Sequence, residues 1–229
     1  MAEKLNSHGE FQEYNTENGR YGPNTGKTDT EKNEHESNET EFESSSPNDF
    51  HKTLSEAKEN IPLNKRWRVD LHSIEDYEKD KLFVTKGGSC VAVEPDGNIV
   101  SVCRKPKDIY RGSDLLAKAL KEGGDRLDAF GDVLFDFYTD NGFEPVSWTP
   151  FNEEYAPDEW IEARNQGMDV QKEPVIFYRY TGEYDKETNP FDYEKFLRTT
   201  KPYDDYDLAK NRRDAEIRRN KNGIQKFDI

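Results

Sequence analysis

The chain reads as an α+β domain, and three features of its apolar pattern say so. Val91, Val93, Val100 and Val102 lie on either side of Asp96-Gly97 and share one face, as in a β-hairpin over Ser89 to Arg104. Leu115, Leu116, Ala119 and Leu120 recur at helical spacing after Arg111-Gly112-Ser113-Asp114. Val133, Leu134, Phe137 and Tyr138 do the same between about Asp132 and Asp140. The run Pro174 to Tyr180 (Pro-Val-Ile-Phe-Tyr-Arg-Tyr) is a strongly apolar strand.

The remaining elements follow the same signals. Leu54, Ala57 and Ile61 predict a short helix over His51 to Asn60, ended by Pro62. Trp67, Val69 and Leu71 alternate with Arg66, Arg68 and Asp70, which predicts a half-buried strand. Ser73 and Asp76 stand at capping-box spacing and predict a helix carrying Tyr77, Leu82 and Phe83 to a stop near Gly87-Gly88. Asp96-Gly97 suits a two-residue type I′ turn, a register that sets Cys90 opposite Cys103 on the face away from the valines. In a reducing compartment that pair is expected as two free thiols. Arg126 to Phe130 is a short strand, and Phe143 to Phe151 is extended.

Composition divides the chain. Of its 229 residues only 32% are hydrophobic and 35% are charged, but the apolar residues cluster. Residues 1–49 carry almost no aliphatic side chains and are expected to be disordered, because they bury too little apolar area to offset chain entropy. Residues 50–182 form the globular domain. Residues 183–229 form a charged extension, partly helical, with a basic patch around Lys210 to Lys221 expected to lie peripheral to the core. Gly22 to Thr28 lacks the spacing of a phosphate loop and follows no buried strand.

Charge and targeting signals bound the function. A net charge of −15 argues against direct nucleic-acid binding and suits a basic partner. No stretch approaches the roughly 20 apolar residues of a membrane helix, and Met1 to Glu10 has no signal-peptide core, so a cytoplasmic location without a membrane partner is expected. Neither the cysteines nor His8, His35, His51 and His72 form a metal-ligand pattern.

Several motifs resemble those of the acyl-CoA-dependent N-acetyltransferase (GNAT) family. Gly112-Ser113-Asp114-Leu115-Leu116 looks like its G-S-x-L-L segment, where the acyl-CoA loop enters a helix. Phe137 to Phe143 is similar to its signature of an aromatic or aliphatic residue, Tyr, three variable residues, Gly and Phe. Asp125 to Phe130 stands between them, at the family's central strand. With Ala156-Pro157-Asp158-Glu159-Trp160, the order most resembles GNAT-like domains of phages and other mobile elements. The resemblance covers about Trp67 to Thr181.

It implies a mixed central sheet with flanking helices, in which two central parallel strands splay apart around acetyl-CoA. The cofactor's pyrophosphate would cap the first helix. The residues implied to hold acetyl-CoA are Val100, Ser101 and Val102 on the hairpin strand and Lys107, Arg111, Gly112 and Ser113 at the loop and helix start. Lys107 takes the first place of the family's phosphate loop, and Tyr110 stands where a glycine is usual. Tyr138 falls on the tyrosine that protonates the departing thiolate. Asp128 and Glu94 are both available as general base. Trp148, Tyr155 and Trp160 line an acceptor groove or form a lid over the sheet edge. Asp136, Asp140, Glu153 and Glu154 make an acidic acceptor mouth or a solvated surface. The implied activity is direct acetyl transfer to an amine. The alternative is a non-catalytic GNAT-like module of a phage or prophage protein, binding a phage or host protein or associated with the virion.

Overall fold

The computed structural model describes residues 3–5, 11–15, 20–22, 42–182 and 191–224. The chain divides into two units, Met1–Glu39 and Thr40–Ile229. In the first, Glu3–Leu5 (β1), Phe11–Asn15 (β2) and Arg20–Gly22 (β3) form an antiparallel sheet in that order. The segment expected to be disordered otherwise lies largely outside the described residues, as do residues 23–28 of the loop that fails the phosphate-loop pattern. Ordered chain in the second unit begins ahead of Asp49. Phe42–Ser44 (β4) leads into the helix Pro47–Glu59 (α1), whose start is set by Ser46: its Oγ accepts the Asp49 amide at 3.2 Å.

The second unit is α+β, with two antiparallel sheets. The first runs β4-β5-β6-β7, where β5 is Lys81–Thr85, β6 is Cys90–Val93 and β7 is Ile99–Cys103. It is covered on both faces. Phe50, Leu54 and Ala57 of α1 pack with Leu82, Cys90, Ala92 and Cys103 on one side. On the other, Phe83, Val91, Val93 and Ile99 meet Leu115, Leu116 and Ala119 of the helix Gly112–Lys121 (α3). Leu82 and Phe83 thus belong to a strand rather than to the helix expected from Ser73. The Ser73–Asp76 reciprocal bonds do form, at 3.2 and 3.3 Å, but the turn they start is only the 3₁₀ segment Asp76–Lys79.

Arg66 to Leu71 is not a strand. Leu63–Arg66 (α2) is a helical turn, and local bonds replace sheet pairing. Arg66 donates to the Glu59 and Ile61 carbonyls at 3.0 and 3.2 Å, and the Trp67 indole donates to the Asn64 carbonyl at 3.0 Å. Trp67 is buried against Phe130 and Phe151 by this turn, so its alternation with Val69 and Leu71 reflects two packing partners, not a pleat.

The β6–β7 hairpin departs from the expected register in an informative way. Its loop is three residues, Pro95-Asp96-Gly97: the Gly97 amide bonds the Glu94 carbonyl at 2.9 Å and the Glu94 amide bonds the Asn98 carbonyl at 2.8 Å. Pro95 suits the first central place of a type I turn, and Gly97 supplies the left-handed residue at φ 91°. Ala92 therefore pairs with Val100 and Val93 with Ile99, one residue off the two-residue-turn register. A β-bulge then restores it, because Cys90 does pair with Cys103. The extra residue is Ser101, at φ 56°. Val91, Val93 and Val102 keep the expected face, and Val100 turns to the other, beside Ala92 and the cysteines. Both thiols are free and buried; burial pushes Cys103 up to about 11 and Cys90 higher still.

The second sheet runs β8-β10-β9, where β8 is Arg126–Phe130, β9 is Phe143–Thr149 and β10 is Val175–Tyr180. β8 and β9 do not flank one another, although they follow each other in the chain. β10, whose first four residues are buried, takes the centre, and the alternating strands take the edges. The helix Val133–Thr139 (α4) covers one face through Phe135 and Tyr138. Asp158–Asn165 (α5) seats Trp160 and Ala163, and Tyr193–Thr199 (α6) sets Tyr193 and Phe196 against Phe135. The last helix, Tyr206–Ile224 (α7), is not peripheral. Ala209, Arg213 and Ile217 are buried, and Ser147 Oγ donates to the Ala209 carbonyl at 2.7 Å.

Candidate functional site

The expected mixed sheet is reduced, among the described residues, to one parallel bridge between the two sheets, Asn98 to Arg126. The Asp125 amide reinforces it by donating to the Gly97 carbonyl at 2.9 Å. Beyond that junction β7 and β8 part, and Arg213 fills the apex. Its guanidinium is fully buried, donates to Asn98 Oδ1 at 3.2 Å and lies 3.8 Å from Asp128. A cavity of 540 Å³ opens between the strands.

Residues predicted from widely separated segments line this cavity. Val100, Ser101 and Val102 come from β7, Gly112 from the first turn of α3, and Tyr138 from α4. The Ser101 bulge sits on the wall, and a bulge leaves one residue's backbone outside the ladder. Its side chain is anchored: Ser101 Oγ donates to the Asp70 carbonyl at 3.2 Å and lies 2.7 Å from the Tyr77 hydroxyl. Tyr77 in turn accepts the His72 amide at 3.1 Å and stacks on its ring. An Asp70–His72 ion pair at 3.3 Å completes this side of the cavity; its bond raises the His72 pKa above 6.5 and lowers that of Asp70 below 3.8.

Lys107, Arg111 and Ser113 do not line the cavity. Lys107, in the left-handed region at φ 71°, sits with Lys86, Gly87 and Tyr110 around a separate depression of 300 Å³. The loop between them is held firmly. Arg104 donates to the Tyr110 and Asp108 carbonyls at 2.8 and 3.0 Å, and the buried Asp108 accepts from Thr85, Ser89 and the Tyr110 amide. Burial opposes ionisation of Asp108, but the Ser89 and Thr85 hydroxyls outweigh it and the pKa falls. The Tyr110 ring lies 5.2 Å from that of Phe42. Arg111 is the N-cap of α3, its amide bonded by the Asp114 carboxylate at 2.6 Å. A Cβ on Gly112 would stand 2.9 Å from the Phe137 ring, so a glycine there lets α4 close on α3.

Tyr138 is 6% exposed, its ring among Phe137, Phe143 and Tyr178, and burial, then the charge of Asp128, holds its hydroxyl protonated well above the usual phenol range. Asp128 also faces the cavity, with 21% of its side chain exposed. Burial raises its pKa, opposed by Arg213, and the Tyr206 hydroxyl donates to it at 3.1 Å. Glu94 lines the cavity too, but it accepts the Asn98 side chain at 2.8 Å.

The C-terminal helix contributes what sequence reasoning missed. Tyr206 and Lys210 of α7 line the cavity and Arg213 closes its apex. Their spacing of four and then three residues was visible as one helix face, but in so charged a segment it reads as a solvated one. The expected acceptor residues do not line this cavity. Trp148 and Trp160 spend their indole N–H groups on the Thr200 and Gln171 carbonyls, and Glu153 pairs with Arg164 and Lys172. Asp136, Asp140 and Glu154 do not line the cavity; Tyr155 is 80% exposed. No group of metal-ligating side chains and no helix long and apolar enough to cross a membrane occurs among the described residues. Comparison with family models, curated proteins and solved structures finds no match.

Proposed function

We propose that the second unit is an acyl-CoA-dependent N-acyltransferase of the GNAT type. The observation that carries this reading is the divergence of two parallel-bridged strands, β7 and β8, around a 540 Å³ cavity whose wall holds Val100–Val102, Gly112 and Tyr138 together. An open sheet offers a ligand its site where neighbouring strands part. The bulge at Ser101 supplies backbone groups for the pantetheine amides or the thioester carbonyl. The first two amides of α3, at Gly112 and Ser113, have no protein acceptor among the described residues and suit the pyrophosphate.

The chemistry is amide formation. The amine nitrogen attacks the thioester carbonyl carbon, the C–S bond breaks, and the thiolate leaves. The ammonium form of the acceptor loses two protons overall, one ending on the thiol and one in solvent. Asp128 faces the cavity with a raised pKa and accepts a proton as the amine is acylated. Because the Tyr138 phenol is a weaker acid than a thiol, its contribution is a hydrogen bond to the departing sulfur.

One observation favours the non-catalytic reading. The Asp114 carboxylate already caps α3 and places negative charge beside the proposed pyrophosphate site. Titration calorimetry with acetyl-CoA decides between them. The enzyme reading expects saturable binding that is lost in Gly112→Glu; no binding at millimolar ligand leaves the binding-module reading.

A further inference from the structure

A second cavity, also 540 Å³, shares Asp70, Asp128 and Tyr206 with the first. Its chemistry differs. Among the described residues the first cavity carries Lys65, Arg68, Arg104 and Lys210, with His72 in its ion pair, against three carboxylates, Asp70, Glu94 and Asp128. Among the described residues the second has no Lys, Arg or His in its lining, and Asp204, Asp205 and Asp207 join the shared Asp70 and Asp128. Its apolar walls present the rings of Phe130, Phe151 and the exposed Tyr155 beside Pro150 and Val175. Aromatic faces with carboxylates around them attract a desolvated ammonium and the methylene chain behind it.

Resting on the acyl-transfer reading, we propose that this second cavity binds the acyl acceptor, an aliphatic amine carrying two or more positive charges. Asp128 receives its reacting ammonium at the seam between the cavities, and the aspartates of the α6–α7 loop and of the first turn of α7 hold the distal charge. The geometry supports that division. Asp128 is the half-buried carboxylate facing both spaces, steered by the Tyr206 hydroxyl at 3.1 Å. Asp204 and Asp207 stand exposed at the rim, and Asp205 is partly committed to capping α7 through the Leu208 amide at 3.1 Å. An acceptor entering here meets an acyl group held on β7 from the opposite side of β8.

The test is titration calorimetry of spermidine into the full chain without acetyl-CoA. Binding should weaken by about tenfold or more in Asp128→Asn and in the double variant Asp204→Asn/Asp207→Asn, a charge contact being worth about that factor. Asp136→Asn, an exposed acid outside both cavities, should leave it unchanged. The double variant alters only exposed side chains, so it answers even if Asp128→Asn fails to fold. A lysine-containing peptide in a parallel titration separates a free polyamine from a protein lysine as the source of the same ammonium. Absence of spermidine binding, or equal loss in Asp136→Asn, overturns the proposal. Spermidine binding without acetyl-CoA binding would instead sink the acyl-transfer reading and leave the amine site standing.

Discussion

Ser101 shows how one backbone angle arranges a site. At φ 56° it occupies a region that a non-glycine residue adopts only at a cost, typically about 1–3 kcal/mol. Its hydroxyl bonds to Asp70 and Tyr77 help hold it there. Ser101→Val adds a β-branched side chain and removes both bonds, and should lower stability by about 2–4 kcal/mol in chemical denaturation. An unchanged midpoint would mean that the bulge is not strained. The neighbouring ion pair makes a pH prediction. His72 is raised, so its contribution is full below 6.5 and is lost as pH rises through its folded pKa. Asp70 is lowered, so its contribution is full above 3.8 and is lost as pH falls through its folded value. The pair therefore stabilises most between those two pH values. An NMR titration should place the His72 midpoint above its ordinary value, and Asp70→Asn should move it down. A midpoint unmoved by that change would dissociate the two.

Among the elements, α7 was the least legible. Twelve of its nineteen residues, Tyr206–Ile224, are polar or charged, Arg213 among them, and the helix buries Ala209, Arg213 and Ile217 all the same. Those positions cover Phe177 and Ser147 on one face of the second sheet. Ending the chain after Gly182 should therefore expose that face and remove the counter-charge of Asp128. We expect the shortened chain to lose its cooperative thermal transition; retention of the full-length Tm would contradict the packing role of α7. The hairpin was legible in part. Pro95-Asp96-Gly97 already carried the signature of a three-residue loop, because proline is placed for the first central position of a type I turn. The Arg66 to Leu71 alternation misled because side-chain-to-backbone bonds settle a helical turn without altering apolar spacing.

Among the described residues of the second unit the two sheets meet at one bridge, and the cavity exists because they do not continue into each other. If this gap is the acyl-transfer site, Tyr138→Phe should reduce turnover by about a hundredfold or more while acetyl-CoA affinity stays within a few fold, since the lost hydrogen bond forms mainly to the departing sulfur. Equal loss of both would assign Tyr138 to packing. Its position against the sheet, and those of Leu115, Leu116, Ala119 and the strands Arg126–Phe130 and Val175–Tyr180, were legible because periodicity is a local property of the chain. So were Gly112 and Tyr138 as candidates, from the motifs around them. The insertion of β10 between β8 and β9, the bulge that turns Val100 but not Val102, and the seating of Arg213 beside Asn98 and Asp128 were not. Each depends on residues far apart in sequence competing for the same buried space, and only the folded packing settles that competition.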